Sequence, residues 1–391
     1  MGATFAKFRK VNPTQAYKPT ESCDALDYLD WIKHPPLDAK QGRWKKVKDY
    51  VHMYRSLDAK QFEMKAIVGR GSIGTVWLVR FVKDGSFYAL KSIRRSSIIH
   101  RKNAHRIKQE LQILKTMRGS PFIAHVFGTF QNDKNVYFLL EYAVGGELYS
   151  LILRNDNISE GSVKFYTAEL VCALHHLHEH SIVFRDLKPD NVVLDENGHI
   201  RLVDFGLASY VDQHGFVDKS KSSGTAEYLA PEITRGMEEK HGIGVDWWAL
   251  GVVMFEMLTG KPPFGARPQR KKYEIFMKIN AGSYTWPRRP AVSAAVKKVV
   301  SGLLSLNPTS RFGYDRTMSS PWFEGLDWNM IESRRVRPPI IPKEKLSNKA
   351  VGDHSHFKAW KEPRYKVSEK LTSAEKAYSD ICGTDEVGLL K

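Results

Sequence analysis

The sequence contains few cysteines and no long hydrophobic run. Its three cysteines among 391 residues, Cys23, Cys172 and Cys382, are far apart and match no metal-ligand spacing. Such sparse usage is typical of a reducing compartment and argues against a disulfide framework. No apolar stretch reaches the roughly 20 residues that a membrane-spanning helix needs, and no signal segment is recognisable at the amino terminus. We therefore expect a cytoplasmic protein, with Cys172 in its core.

The charge is strongly of one sign. Lys and Arg number 60 and Asp and Glu number 43, which gives a formal net charge of +17. Such an excess suits an acidic partner, such as nucleic acid, an anionic membrane or a microtubule. The basic residues are dispersed and lack interleaved aromatic residues, so they are no direct evidence for nucleic acid. A solvated surface is the favoured interpretation. Gly2 permits N-myristoylation, but Ala6 stands where the motif requires Ser or Thr, so membrane attachment through Gly2 is less favoured.

Three segments of the chain differ in their patterns. Residues 1–61 form an extension, in which 43–57 predicts a basic amphipathic helix that packs on the following domain or, less favoured, lies on a membrane. Residues 62–142 alternate strand-like runs with turn signals around one helix predicted over 102–117, and residues 143–323 follow a helical period. Residues 324–391 read as a polar, irregular tail. The pattern predicts an α+β domain over 62–323 with a small sheet-rich lobe and a large helical lobe.

A glycine-rich motif lies between two predicted strands. Gly69, Gly71 and Gly74 follow the pattern G-x-G-x-x-G, with Val76 after them. Residues without a Cβ allow phosphate oxygens to approach backbone N–H groups. The motif alone is weak, because a dinucleotide-binding turn has similar glycines. The strand–loop–strand context and Lys91 on the next predicted strand favour a nucleoside triphosphate site of the kinase type.

Lys91 has a candidate partner in Glu110. Lys91 can reach the α and β phosphates of a nucleotide, and Glu110 lies on the predicted helix, where it can hold the ammonium group in place. Either residue alone would more often be an ordinary surface charge. Their register with the glycines favours the catalytic interpretation.

The strongest signal is the run FRDLKPDN, residues 184–191. Asp186 can accept the proton of a substrate hydroxyl, and Lys188 can neutralise the migrating phosphoryl group. Asn191 and Asp204, the latter in Asp-Phe-Gly, supply oxygen ligands of the kind that Mg²⁺ prefers. This set, in this order and spacing, predicts phosphoryl transfer from ATP.

With these residues, the chain resembles the protein kinases of the AGC group, most closely the cyclic-nucleotide-dependent catalytic chains. The resemblance covers about residues 61–357 and includes Ala230-Pro231-Glu232, Asp246 and Arg311. It implies a two-lobed protein kinase fold, serine/threonine kinase activity, and ATP and Mg²⁺ as cofactors. It also implies that Glu232 pairs with Arg311 and that Asp246 braces the catalytic loop.

The same resemblance implies which residues contact ATP. Glycine-rich strands cover the phosphates, apolar side chains enclose the adenine, and the backbone after Leu140 binds the purine edge. The implied nucleotide-binding residues are Val68, Gly69, Arg70, Gly71, Ser72, Ile73, Gly74, Thr75, Val76, Ala89, Lys91, Leu140, Glu141, Ala143, Glu147 and Val193. Pro338, Pro339, Pro342 and Lys343 resemble the start of the group's tail, and Phe357 is a candidate for its adenine-contacting aromatic residue.

Three acidic residues bear on substrate choice. Glu147, Asp190 and Glu256 match positions at which members of the family bind arginines of the substrate. These arginines lie upstream of the phosphoacceptor. Arginine–carboxylate pairing is geometrically selective. We therefore expect protein substrates with basic residues before the Ser or Thr. Any one of the three could equally be a generic surface acid, but all three together favour the specific interpretation.

The sequence departs from the family pattern in two places. Lys221 stands where a phosphorylatable Thr is usual, with Ser220, Ser222 and Ser223 beside it, and Ala226 replaces a Pro. Phosphorylation of a neighbouring serine and activation without phosphorylation both remain open. The carboxy-terminal F-x-x-F motif is also missing, so either the amino-terminal helix or a partner would have to replace it.

A kinase-fold scaffold with weak or no activity, bound to an acidic partner, is the alternative to an enzyme. The high charge and the altered activation loop favour it, whereas the complete set of catalytic residues argues against it. The 61 residues of the extension are too few for a cyclic-nucleotide-binding module. A response to a cyclic nucleotide would therefore require a separate regulatory subunit, and a scaffold is a further candidate partner.

Overall fold

A computed structural model describes residues 57–71, 74–100, 104–132, 134–154, 158–218, 224–236, 240–265 and 271–342. Several predictions concern residues outside these ranges. They include the amphipathic helix up to residue 56, the activation-loop residues 220–223, and the tail from Lys343, with Phe357, onward.

The small lobe is built on a five-stranded antiparallel sheet. Its strands are β1 (Phe62–Arg70), β2 (Gly74–Phe81), β3 (Phe87–Arg94), β4 (Val126–Gln131) and β5 (Asn135–Leu140). They lie in the order β1-β2-β3-β5-β4. β-Branched and aromatic residues suit such a sheet because they pack well on its pleated surface.

The two faces of this sheet have separate cores. Phe62, Trp77 and Leu139 belong to a cluster on one face, where Leu57 and Ala59 from the end of the extension also pack. Ile93 and Phe138 belong to the main core on the other face. Two helices follow β3, namely α1 (Arg95–His100) and α2 (Ala104–Thr116).

Helix α2 packs beneath the sheet by its apolar stripe. Ile107, Leu111 and Leu114 are buried, and Glu110 lies on the same buried side. Offsets of three and four place these residues on one face of a helix. The described helix agrees with the sequence-based prediction over 102–117, of which residues 102 and 103 lie outside the described ranges.

The large lobe is mainly helical. Its helices are α3 (Leu148–Arg154), α4 (Glu160–Glu179), α5 (Pro231–Thr234), α6 (Gly244–Thr259), α7 (Lys272–Ala281), α8 (Ala294–Leu303), α9 (Tyr314–Met318) and α10 (Trp328–Glu332). Helix α6 is mostly apolar on all its sides, apart from Asp246 and Glu256, and is buried along almost its whole length. This is typical of a helix at the centre of a large domain. Cys172, on α4, is buried as predicted.

The loops of the large lobe contain short strands. They are β6 (Gly146–Glu147), β7 (Ile182–Val183), β8 (Val192–Leu194), β9 (Ile200–Leu202), β10 (Ser209–Tyr210), β11 (Phe216–Asp218) and β12 (Lys240–Gly242). They form the sheets β6-β8-β9, β10-β7 and β11-β12. The small antiparallel sheet lobe with its helix and the large helical lobe confirm the predicted fold class.

The structure differs from the prediction of an irregular tail. Helix α10 occupies part of it, because Asp327 caps the helix by accepting from the backbone N–H of Met330 at 3.2 Å. Ile331 of this helix is buried in the main core. Among the described residues, no helix has both the length and the apolarity needed to cross a bilayer.

A buried ion pair ties two distant parts of the large lobe together. The Arg311 guanidinium donates to both oxygens of Glu232, at 2.7 and 2.8 Å, and also to the Gly244 carbonyl at 2.8 Å. Two parallel N–H···O bonds give such a pair geometric specificity as well as strength. The pair therefore holds the start of α5 against the start of α6.

We predict that Arg311→Met lowers the free energy of unfolding by about 3–5 kcal/mol, because it leaves the Glu232 carboxylate buried without its partner. Chemical denaturation measures this change. Arg316→Met is the matched control, since Arg316 is exposed and donates to the Ser310 carbonyl, and its effect should stay within about 0.5 kcal/mol. Equal effects of the two substitutions would contradict the prediction.

Candidate active site

Three charged side chains meet where the two lobes face each other. Lys91 Nζ on β3 lies 2.5 Å from Glu110 Oε1 on α2 and 3.1 Å from Asp204 Oδ1. Lys91 and Glu110 are buried, whereas the Asp204 side chain is 51% exposed. The ammonium group thus joins the sheet, helix α2 and the Asp-Phe-Gly segment, with one carboxylate open to solvent.

The electrostatics of this group keep it charged. Burial alone would lower the pKa of Lys91, but Asp204 and Glu110 outweigh it and the pKa is raised. Lys91 in turn holds the pKa of Asp204 below its usual value. At neutral pH the site therefore presents an ammonium group beside an ionised, accessible carboxylate.

The glycine-rich motif joins β1 to β2. Gly69 pairs with Val76 across the two strands, and the Gly71 N–H donates to the Gly74 carbonyl at 2.9 Å. A Cβ at Gly74 would lie 2.6 Å from the Ser92 carbonyl oxygen on β3, so only glycine fits there. Val68 on β1 and Thr75 on β2 flank the motif, and Arg70 lies within it at the end of β1. Ser72 and Ile73 lie outside the described residues.

The residues implied for the adenine come from both lobes. Ala89 on β3 pairs with Leu140 on β5, and Val76 is half-buried on β2. Val193 on β8 belongs to the large lobe. The connection between the lobes contains Glu141 and Ala143, and the Glu141 N–H donates to the His125 carbonyl at 2.8 Å.

The catalytic-loop residues form one hydrogen-bonded cluster around Asp186. Lys188 Nζ donates to Asp186 Oδ2 at 2.9 Å. Asn191 Nδ2 donates to the same oxygen at 2.9 Å and to the Asp186 carbonyl at 2.8 Å. The Thr225 hydroxyl donates to Asp186 Oδ1 at 3.3 Å and accepts from Lys188 Nζ at 3.0 Å. The Asp186 carboxylate thus already accepts the O–H of an alcohol.

Helix α6 holds the catalytic loop in place through Asp246. Asp246, fully buried, accepts from the backbone N–H groups of Phe184 at 2.9 Å and Arg185 at 2.8 Å. His178 Nε2 on α4 lies 2.8 Å from Asp246 Oδ2. Arg185 has a φ of +68°, which is unusual for a residue other than glycine. Two backbone bonds to one buried carboxylate hold the chain in this conformation.

The three acids expected to select the substrate lie near the catalytic loop. Burial, followed by the nearby charge of Asp190, raises the pKa of Glu147. Burial also raises the pKa of Glu256 to about 7, although a hydrogen bond from the Tyr228 hydroxyl at 2.6 Å opposes the shift. Asp190 and Glu227 add their repulsion to Glu256. The acids therefore influence one another and form one negative region.

The activation segment has anchors within the described residues. Strand β11 pairs with β12, with Val217 opposite His241 and buried in the main core. Lys240 Nζ lies 2.7 Å from Asp212 Oδ2. Arg185 Nε donates to the Leu207 carbonyl at 2.6 Å. These contacts hold the part of the segment before residues 219–223 against the catalytic loop and against β12.

Helix α2 also contacts the start of this segment. Gln109 Nε2 donates to the Ser209 hydroxyl at 2.8 Å, and the Thr116 and Tyr210 hydroxyls lie 3.0 Å apart. Because α2 carries Glu110, these bonds link the position of Glu110 to the segment that follows Asp204.

Sequence reasoning missed several residues of the site. Thr225 donates a hydrogen bond to Asp186, and Tyr228 donates one to Glu256. Both residues follow closely on Gly224 of the activation loop, and this position was the only sequence signal that pointed to them. His178, which braces Asp246, stands among four histidines on and just after α4 and gave no distinguishing signal. Its role depends on the packing of α4 against α6.

Comparison with known proteins agrees with this geometry. Residues 62–323 match the model of the protein kinase domain. The chain is 37% identical over 308 residues to the cAMP-dependent protein kinase catalytic subunit of Dictyostelium discoideum, covering 78% of this chain and 45% of that protein. It is 37% identical over 309 residues to the human cAMP-dependent protein kinase catalytic subunit PRKX, covering 78% and 82%. The chain therefore belongs to the protein kinase family.

The relatives also define the group within the family. Human ribosomal protein S6 kinase alpha-2 is 36% identical over 299 residues, which cover 74% of this chain and 39% of that protein. The chain thus spans less than half the length of two of these three relatives. Together they confirm the resemblance to the AGC group of serine/threonine kinases, and they do not favour the scaffold alternative.

We predict that Asp246→Asn lowers kcat and also lowers the free energy of unfolding by about 1–3 kcal/mol, because an amide cannot accept both backbone N–H groups and one buried donor loses its partner. The KM for ATP should change less than about twofold, since the nucleotide-site residues lie on other elements. Asp327→Asn is the control, because Asn caps a helix about as well as Asp. An unchanged kcat in Asp246→Asn would disprove the bracing role.

Proposed function

We propose that this kinase transfers the γ-phosphoryl group of Mg·ATP to Ser or Thr hydroxyls that follow basic residues, with Asp186 as the residue that orients the hydroxyl. The observation that carries the proposal is the pair of bonds between Asp186 and the Thr225 hydroxyl and between Lys188 and that same hydroxyl. A substrate alcohol in this position would meet a proton acceptor and a cation together. This is the arrangement that phosphoryl transfer needs.

Each residue has a distinct task in this proposal. Lys91, held by Glu110, binds the α and β phosphates. Asp186 accepts the hydroxyl proton, and Lys188 balances the charge that develops on the transferred group. The glycine-rich strands and the apolar residues Val76, Ala89, Leu140 and Val193 enclose the nucleotide, while the backbone of Glu141 and Ala143 binds the purine edge.

The residues present suit Mg²⁺. Asn191 uses its Nδ2 to donate to Asp186, which leaves its amide oxygen as a ligand atom. Asp204 offers an accessible carboxylate with a lowered pKa. Both are hard oxygen ligands, which Mg²⁺ prefers. When bound, the metal would neutralise phosphate charge, and Asn191 and Asp204 are the residues that would hold it.

The negative region formed by Glu147, Asp190 and Glu256 supports a preference for basic residues upstream of the phosphoacceptor. Carboxylates that repel one another and are partly desolvated gain most from an arginine partner. Protein substrates follow from the family. A regulatory subunit or scaffold, a cytoplasmic location and an acidic assembly as partner remain proposals that rest on the sequence.

The direct test of this function is phosphate transfer by the full chain. With radiolabelled ATP, Mg²⁺ and a peptide that carries arginines before a serine, the chain should label the peptide. Asp204→Ala should abolish labelling, because it removes the carboxylate proposed to hold the metal. Labelling that persists in Asp204→Ala, or none with the unmodified chain, would refute the proposal.

The pKa of Glu256 predicts a pH dependence. A carboxyl group with a pKa of about 7 is mostly protonated at pH 6 and mostly ionised at pH 8, and only the ionised form pairs with arginine. The KM for an arginine-containing peptide should therefore fall by about tenfold as the pH rises from 6 to 8. Glu256→Gln and a peptide without the arginines should both give a flat KM over this range. A KM that rises with pH would contradict the assignment.

A further inference from the structure

Four charged side chains link the segment after α10 to the connection between the lobes. Arg334 donates through Nη2 to Asp195 Oδ2. Arg201 Nη2 lies 3.8 Å from the same oxygen, and Arg201 Nε lies 3.3 Å from Glu141 Oε1. We refer to residues 334–342 as the strap and to residues 141–145 as the hinge. The four side chains thus connect the strap to the hinge, and none of these side chains has a role in the proposed phosphoryl transfer.

Three of these four charges are buried, whereas the Glu141 side chain is 25% exposed. Asp195 is 7% exposed, Arg201 is 8% exposed and the Arg334 side chain is 6% exposed. Asp195 Oδ1 also accepts from the backbone N–H groups of Asn197 at 2.9 Å and His199 at 3.1 Å. Buried charges are costly unless well paired, and apolar residues often replace them without loss of stability. Stability alone therefore does not account for them.

The backbone of Arg334 strengthens this point. Its φ is +54°, its N–H donates to the Ile331 carbonyl, and the Arg335 N–H donates to the Met330 carbonyl. This pattern ends a helix with a left-handed residue, a position at which glycine is usual because it has no Cβ. An arginine there gives up that backbone advantage. Its guanidinium, bound to Asp195, is the feature that a glycine would lack.

At the other end, Arg201 fixes the hinge. It lies on β9 directly opposite Val193, and its Nη1 also donates to the Pro121 carbonyl. Glu141 accepts from the His125 N–H through its second carboxylate oxygen at 3.2 Å. The side chain of Glu141 is therefore held on both oxygens, while its backbone is the one assigned to the purine edge.

The strap also packs against the hinge and the β8–β9 turn directly. A Cβ at Gly145, in the hinge, would lie 2.5 Å from Pro342 Cγ. A Cβ at Gly198, in the turn, would overlap the carbonyl oxygen of Ile340. The strap is therefore seated at three points, of which the Arg334–Asp195 pair is the charged one.

We propose that Arg201 and Arg334 are positioning residues that set the affinity for the nucleotide by holding the hinge in place. Through them, the seating of the strap is transmitted to the adenine side of the cleft. The proposal rests on the proposed function, because it assumes that the hinge backbone binds the purine.

The test compares substitutions of the two arginines in the full chain. Arg201→Met should raise the KM for ATP by about five- to tenfold, a size typical of changes within a coupling network, with kcat within about twofold of the unmodified value. The KM for ATP of Arg201→Lys should lie between those of the unmodified chain and of Arg201→Met. One ammonium group cannot contact both carboxylates as a planar guanidinium does. Calorimetric titration with ADP should show the same order without requiring activity.

Arg334→Gly removes the guanidinium but keeps the backbone conformation. Glycine suits the left-handed backbone, but the substitution leaves the buried Asp195 carboxylate with Arg201 alone, so the thermal midpoint should fall. The KM for ATP should rise by about two- to fivefold, with kcat within about twofold of the unmodified value. Because both arginines act through Asp195, Arg201→Met with Arg334→Gly should raise the KM by less than the product of the single effects. Arg316→Met, on the exposed face of α9, is the control and should leave the KM for ATP unchanged.

The outcomes distinguish this inference from the proposed function. If the unmodified chain phosphorylates the peptide and Asp204→Ala does not, but Arg201→Met and Arg334→Gly leave both the KM for ATP and ADP binding unchanged, the positioning role is wrong and the kinase function stands. A fall in kcat and in peptide and nucleotide affinity together, with a lower thermal midpoint, would show a structural role only and would also overturn the inference.

Discussion

The ammonium group of Lys91 is the contact on which the catalytic arrangement depends. It lies between Glu110 on helix α2 and Asp204 of the large lobe, so three separately folded elements must be in register for it to be neutralised. A buried lysine without such partners would lose its proton or move out toward solvent. The small sheet, α2 and the Asp-Phe-Gly segment are therefore positioned by one electrostatic requirement, which is also the requirement for binding a triphosphate.

In the large lobe, helix α6 positions several parts of the site at once. Its interior is apolar, but it carries Asp246 near its start and Glu256 near its end. Asp246 fixes the backbone of the catalytic loop, and Glu256 lies beside the activation segment through Tyr228. A single rigid, buried helix thus sets both the position of the reacting groups and the chemistry of the surface proposed to recognise the substrate.

Substrate recognition and nucleotide binding are held by different kinds of support. Glu147 and Glu256 near the catalytic loop are desolvated, and the exposed Asp190 repels both, so this region favours a basic ligand. The hinge is held from outside by Arg201, which pairs with Glu141 and Asp195, and by the strap, whose Arg334 pairs with Asp195. The acids near the catalytic loop would gain a cationic partner from the substrate, whereas Asp195 and Glu141 already have cationic partners within the chain. This difference explains why the former should respond to pH and the latter to the seating of the tail.

The sequence by itself determined the fold class and the family, and it supplied the residues that are proposed to react. Strand-like and helical periods follow from local side-chain preference, and the spacing among Gly69, Lys91, Asp186 and Asp204 reflects chemistry that needs those residue types. Helix α10 was not foreseen, because its five residues are too few for a periodic signal and depend on the Asp327 cap. The roles of Thr225, Tyr228, His178 and Arg201 were decided only by the tertiary structure. The partners that define these roles, Asp186, Glu256, Asp246 and Glu141, lie between 28 and 68 residues away along the chain. No local pattern specifies contacts between elements that meet only when the lobes pack.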